Sequence, residues 1–214
     1  LYEEGIVDAC GRNFFGQLGD GTNEDKFLTT VQMPLYADVV RLLGVGPSAY
    51  SVFFVTWPDE IVYATGLNSM GQLGVGDKEN RNIPTWVQLP YFAQMISAGE
   101  DHTVALKIVG EEIISTPTVS PTALEPVTFS PTLPGLDFYF WGSPQAVGQP
   151  LGTPDVAVPL NVGGGVVSST AGSKYSIILL TDGSALAAGY VQSLDDYQGH
   201  LGIEQNLVLE GVNE

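Results

Sequence analysis

The pattern G-x-x-x-x-G-Q-L-G-x-G occurs twice in this chain, from Gly11 to Gly21 and from Gly66 to Gly76. Each glycine of the second copy lies 55 residues after its partner in the first. Asn13 and Asn68, Gln17 and Gln72, and Leu18 and Leu73 keep the same register. A chain that repeats so many positions at one spacing is built from units that fold alike. A period near 50 residues, made of short β-prone runs and glycine-rich loops, restricts the architecture to a propeller or another repeated all-β array.

Two fainter copies follow. One starts at Trp141-Gly142 and keeps Gly148, Leu151 and Gly152; the other starts at Gly189 and keeps Gly199, Leu201 and Gly202. The step from Gly66 to Gly142 is 21 residues longer than the register, so the third unit carries an insertion. A second motif accompanies the loops: Gly99-Glu100-Asp101-His102-Thr103, Gly172-Ser173-Lys174-Tyr175-Ser176, and a longer version from Gly46 to Tyr50-Ser51. Each copy is a glycine turn, a polar ring, a hydroxyl residue and then an apolar strand.

These two motifs resemble the repeats of the regulator of chromosome condensation family, clearly over residues 5–109 and weakly over 137–203. The third and fourth loops lack the Asn and the unbroken Gln-Leu-Gly. The resemblance implies an all-β fold, a β-propeller of four-stranded blades, with about four units in this segment of a seven-bladed ring. It also implies that the motif glycines, Gly11, Gly16, Gly19, Gly66, Gly71, Gly74, Gly99, Gly142, Gly148, Gly152, Gly189, Gly199 and Gly202, shape backbone. The leucines, Leu18, Leu73, Leu151 and Leu201, would fill space between blades. Leu1 falls in mid-unit and Glu214 soon after a loop motif, so residues 1–214 read as one partial repeat domain.

The short runs 5–10, 61–65, 138–141 and 185–188, each ending at a motif glycine, read as equivalent strands. The longer runs 50–56, 103–109 and 175–181 read as strands buried on both faces. Asp182-Gly183 closes one of these pairs as a tight turn. Residues 110–135, rich in Ser/Thr-Pro, read as a solvated loop inserted in a blade hairpin, at small cost in closure entropy. That composition also occurs in glycosylated stalks, which leans the compartment toward the cell surface.

With 24 acidic against 7 basic residues the net charge is −17, a field that repels phosphate backbones, so nucleic acid is not the expected partner. No run is long and apolar enough to span a bilayer as a helix. The single cysteine, Cys10, excludes a disulfide framework and reads as a strand-end packing residue. Gln17 and Gln72 stand where a phosphate-binding loop needs Lys, and the two histidines, His102 and His200, lack metal-ligand spacing. Asp20 to Asp25 misses the glycine and the distal Glu of a calcium loop. No metal or cofactor is therefore expected. A catalytic alternative would require Asp8, Asp101, Asp137 and Asp182 to converge near an axis.

What remains is a binding surface. Phe14, Phe15 and Met70 replace polar residues at the loop tips and, with Asn13, Asn68, Asp101 and His102, form the expected contact set for a protein partner. A small GTPase is one candidate that the resemblance implies, with nucleotide exchange as the associated activity.

Overall fold

The computed structural model describes residues 7–31, 39–44, 46, 49–57, 61–89, 93–107, 138–147 and 154–189. Among them are thirteen strands and one short 3-10 turn. Strands β1 (Val7–Gly11) and β2 (Lys26–Val31) form an antiparallel pair. Strands β3 (Val39–Gly44), β4 (Ser51–Trp57), β5 (Val62–Gly66) and β6 (Arg81–Trp86) form a complete four-stranded blade in chain order. A second such blade contains β7 (Ala93–Ala98), β8 (His102–Lys107), β9 (Phe138–Gly142) and β10 (Val158–Pro159). The last sheet holds β11 (Val166–Ala171), β12 (Tyr175–Leu180) and β13 (Ala185–Gly189). This is a β-propeller segment. The sequence unit is offset from the blade: among the described residues, each glycine loop before Gly189 joins the last two strands of its sheet, and the following glycine-to-ring turn joins the first two strands of the next.

Strands β4 and β8 are buried on both faces as expected, because successive side chains point to opposite faces of a sheet that has a neighbour on each side. The expectation fails for β12, where Ile178 and Leu180 are buried but Ile177 and Leu179 are 36% and 40% exposed, since no further sheet covers that face among the described residues. Phe53, Val55, Val62 and Ala64 join Leu73, Ile96, Ala105, Tyr139 and Trp141 in one core between the two complete blades. The intervening residues Phe54 and Tyr63 turn the other way, onto Val7 and Val31 of the first sheet. Likewise Phe138 and Phe140 leave Tyr139 and Trp141 behind and pack with Val104, Ile178 and Leu180 in the core facing the last sheet. A continuous run of apolar residues on one strand thus serves two joints at once.

Strands β1, β5, β9 and β13 all end on the motif glycine, as their reading as equivalent strands expects. In the two clear loops the four paired glycines have φ values of 110° and 108°, 81° and 78°, 74° and 69°, and 82° and 88°. All lie in the left-handed region that favours glycine. The Asp182-Gly183 turn is also present: Gly183 has φ 87°, and the Asp182 carboxylate accepts from the Ser184 amide and hydroxyl at 2.8 and 2.6 Å. Gly148, Leu151, Gly152, Gly199, Leu201 and Gly202 lie outside the described residues, as does the 110–135 insertion. The strands on either side of that insertion pair antiparallel, with Leu106 opposite Phe138.

Two expectations change. Cys10 is exposed rather than packed. Its counterparts Thr65 and Trp141 pack against the glycine loop of the preceding unit, close to Gly19 and Gly74, and no preceding loop lies beside Cys10 among the described residues. The third loop also departs from the first two, since Pro144–Val147 forms a 3-10 turn that buries Ala146 and Val147. With Pro144 where Asn13 and Asn68 stand, this loop lacks the side chain that organises the others.

Candidate functional site

The glycine loops present their outer turns on one end of the strands, together with the G-x-x-[HY] turns. Their inner atoms are held by a network whose central bonds repeat in the two clear loops. Asn13 Oδ1 accepts from the Leu18 amide at 2.9 Å, and Asn68 Oδ1 accepts from the Leu73 amide at 2.9 Å. The Asn13 amide group donates to the Thr22 carbonyl at 3.0 Å, and that of Asn68 to the Asp77 carbonyl at 2.9 Å. The backbone amides of Asn13 and Asn68 donate to Asp25 Oδ1 and Asn80 Oδ1, each at 2.8 Å. Asp25 and Asn80 are themselves 55 residues apart, so the register contained this pair although its role was not evident.

Asn13 and Asn68 are fully buried and occupied within the loop, so the expected contact role is withdrawn for both. Asn68→Ala should cost about 1–3 kcal/mol, because the Leu73 amide and Asp77 carbonyl lose their buried partner. Urea unfolding of the variant measures this loss. Asp20 belongs to the same network. Burial raises its carboxyl, but hydrogen bonds from the Thr22 hydroxyl and amide at 2.8 and 3.0 Å outweigh that and hold it below the usual carboxylate range. Its contribution to stability is therefore present above the unfolded carboxyl range and is lost as pH falls through the lower folded value.

The joints between units are equally regular. The Gln72 carbonyl accepts from Thr103 Oγ1 at 2.8 Å and from Trp141 Nε1 at 2.7 Å, both in the next blade. The Gln17 carbonyl accepts from Thr65 Oγ1 at 3.1 Å. The outer part of each loop rests on the following unit as well: the Gly21 amide donates to the Asn82 carbonyl at 2.7 Å, and the Gly76 amide to the Asp155 carbonyl at 2.9 Å. A Cβ on Gly16 or Gly71 would lie 2.6 Å from Asn82 Cα or 2.7 Å from Asp155 Cα. Close approach of backbones, rather than ligand binding, accounts for these glycines.

His102 is also removed from the contact set. It is fully buried, and its Nε2 lies 2.9 Å from the hydroxyl of Ser176, on β12 of the next sheet. Its Nδ1 lies 3.4 Å from Asp101 Oδ1. The sequence did not reveal this Asp-His-Ser line, whose ends are 75 residues apart. Both His102 and Ser176 are closed off from solvent, so the line ties two sheets and offers no bound substrate a nucleophile in this conformation. The proposed carboxylate convergence is not seen. Asp8 bonds Thr30 on β2, Asp101 lies on the loop end, and Asp182 lies in the β12–β13 turn at the opposite end; Asp137 is outside the described residues.

The exposed tips are apolar. Phe14 is 75% exposed and Met70 42%. Phe14 meets Phe15 edge to face at 5.0 Å, and Phe15 meets Tyr50, from the turn of the next blade, at 5.3 Å. Phe15 is half-buried by this contact, and Tyr50, which the sequence marked only as a substitute for His, joins the surface. Asp101 is partly exposed in the corresponding turn of the following blade. Among the described residues no group of acidic, His and Cys side chains is arranged to hold a metal ion.

Residues 59–106 match the regulator of chromosome condensation (RCC1) repeat. The ultraviolet-B receptor UVR8 of Arabidopsis thaliana is 32% identical over 107 residues, covering 49% of this chain and 24% of the receptor. The human X-linked retinitis pigmentosa GTPase regulator is 35% identical over 101 residues, covering 45% of this chain and 9% of that protein. The chain therefore spans a quarter or less of these curated relatives. Among solved structures, Prp20p of Saccharomyces cerevisiae, described with its binding to Gsp1p and histones, superposes with a TM-score of 0.64 at 23% identity. That match covers 89% of this chain and 42% of Prp20p.

Proposed function

We infer, for a chain that carries regulator of chromosome condensation repeats on a propeller segment, that it serves as a non-catalytic protein-binding scaffold whose contact surface is the loop end. The observation that carries this reading is the division within each loop. Asn, Gln and glycine atoms are committed to the fold, while Phe14, Tyr50 and Met70 are turned to solvent at one end of consecutive units, with half-buried Phe15 joining Phe14 to Tyr50. Aromatic residues and Met supply large contact area at low entropic cost, and they are enriched where proteins meet.

What two similar proteins are named for favours the same class. One is a GTPase regulator, and another was solved in a study of its binding to Gsp1p and histones. Nucleotide exchange on a small GTPase is the second reading. Two measurements separate the readings: release of a fluorescent guanine nucleotide from candidate GTPases, and partner binding by Phe14→Ser/Met70→Ser. The scaffold reading expects no stimulated release and at least tenfold weaker binding by the double variant, with its unfolding midpoint unchanged. Stimulated release that depends on the loop end would replace it with the exchange reading.

A further inference from the structure

The tips carry an apolar surface, yet a loop tip is ordinarily the least ordered part of a domain. Here a glutamine side chain ties down each tip, and at the first tip Asn23 Nδ2 also donates to the Phe14 carbonyl at 3.1 Å. The Phe15 amide donates to Gln17 Oε1 at 3.0 Å, and the Met70 amide donates to Gln72 Oε1 at 2.9 Å. The same two glutamines provide the carbonyls that receive the next unit, from Thr65 in one case and from Thr103 and Trp141 in the other. Gln72 goes further, since its Nε2 donates to the Glu100 carbonyl in the turn of the next blade at 3.1 Å.

We propose that Gln17 and Gln72 are positioning residues for the contact surface, each joining the tip of its own loop to the joint with the following unit. This rests on the reading of the loop end as the contact surface. The side chain of the glutamine sets where the aromatic or Met tip stands, and its carbonyl registers whether the next unit is docked. Phe15 shows the consequence, because its ring is presented against Tyr50 of the next blade. The contact surface is therefore composite. A partner that covers Phe14, Phe15 and Tyr50 spans one inter-unit joint, and docking and joint stability reinforce each other.

Gln17 is the better place to test this, because it is half-buried and its Nε2 has no hydrogen-bond partner among the described residues. Gln17→Glu keeps an acceptor oxygen at the end of the same-length side chain, whereas Gln17→Met keeps the length and loses the acceptor. Amide hydrogen exchange of the whole chain, followed by NMR, should show the Phe15 amide exchanging about fivefold faster in Q17M and at the wild-type rate in Q17E. Equal rates in all three proteins, or equal acceleration in Q17M and Q17E, would overturn the proposal.

Wild-type protein gives a second measurement that needs no variant to fold. The amides of Phe15 and Met70 should be protected relative to those of Phe14 and Ser69, which have no such acceptor among the described residues. Loss of that contrast overturns the proposal as well. Neither readout involves a partner, so failure here is distinct from failure of the scaffold reading.

Discussion

Trp141→Ala is expected to destabilise the protein by about 3–5 kcal/mol, near the upper end for a single substitution. The indole is fully buried at the joint between the two complete blades, packed edge to face on Phe53 at a centroid distance of 5.9 Å. It also covers Gly74, where any side chain would collide with the ring. Removing it opens a cavity that glycine backbone and strand residues on either side are poorly able to fill. Trp141→Phe separates packing from hydrogen bonding. The Gln72 carbonyl keeps its bond from Thr103, so it is not left unpaired, and the loss should be nearer 1–2 kcal/mol. Denaturant unfolding followed by circular dichroism measures both; costs of similar, small size would mean that the joint does not depend on this ring.

The second large effect concerns backbone. Gly66 has φ 108°, and a Cβ there would lie 2.1 Å from the Tyr50 carbonyl oxygen and 2.9 Å from Ser51 Cα. Neither atom can retreat easily, because Ser51 faces Gly66 in the ladder and the Tyr50 carbonyl accepts from the Leu67 amide at 2.9 Å. Gly66→Ala should therefore cost more than about 4 kcal/mol or prevent folding. Gly21→Ala is the control. Its φ of 82° is also left-handed, but the nearest atom to its Cβ would be Ile83 Cγ2 at 3.7 Å, an ordinary contact. Only the backbone penalty of about 1–2 kcal/mol is expected there. Comparing the unfolding midpoints of the two variants separates conformational strain from collision, and equal midpoints would contradict the crowding described at Gly66.

Much of the scaffold was legible because it is written in backbone requirements and in period. Glycines at positive φ, strands that end on them and apolar runs shared by two joints all follow from residue type and spacing. Leu18 and Leu73 are buried as the family resemblance implied, Leu73 in the core between the complete blades.

The contact set was less legible, because sequence does not say which way a polar side chain in a loop points. Asn13, Asn68 and His102 stand at conspicuous repeat positions and turn inward, where they satisfy buried amides or bridge sheets. The His102–Ser176 bond spans 74 residues and depends on how two units stack, which no single motif specifies. Tyr50 was found only once the turn of one blade was seen beside the loop tip of the unit before it. Cys10 was misplaced for a related reason, since burial at that position is conferred by the preceding unit's loop rather than by its own strand.

The central claim is that the loop end, and not the opposite end with the β12–β13 turn, meets a protein partner. Site-specific photo-crosslinking tests it most directly, with a photoreactive side chain at position 14 or 70 and, as reference, at position 184 in the β12–β13 turn. The account predicts a discrete crosslinked protein species from positions 14 and 70 that competes with excess unlabelled chain, and none from position 184. Crosslinks from position 184 alone, or from all three positions equally, would contradict it.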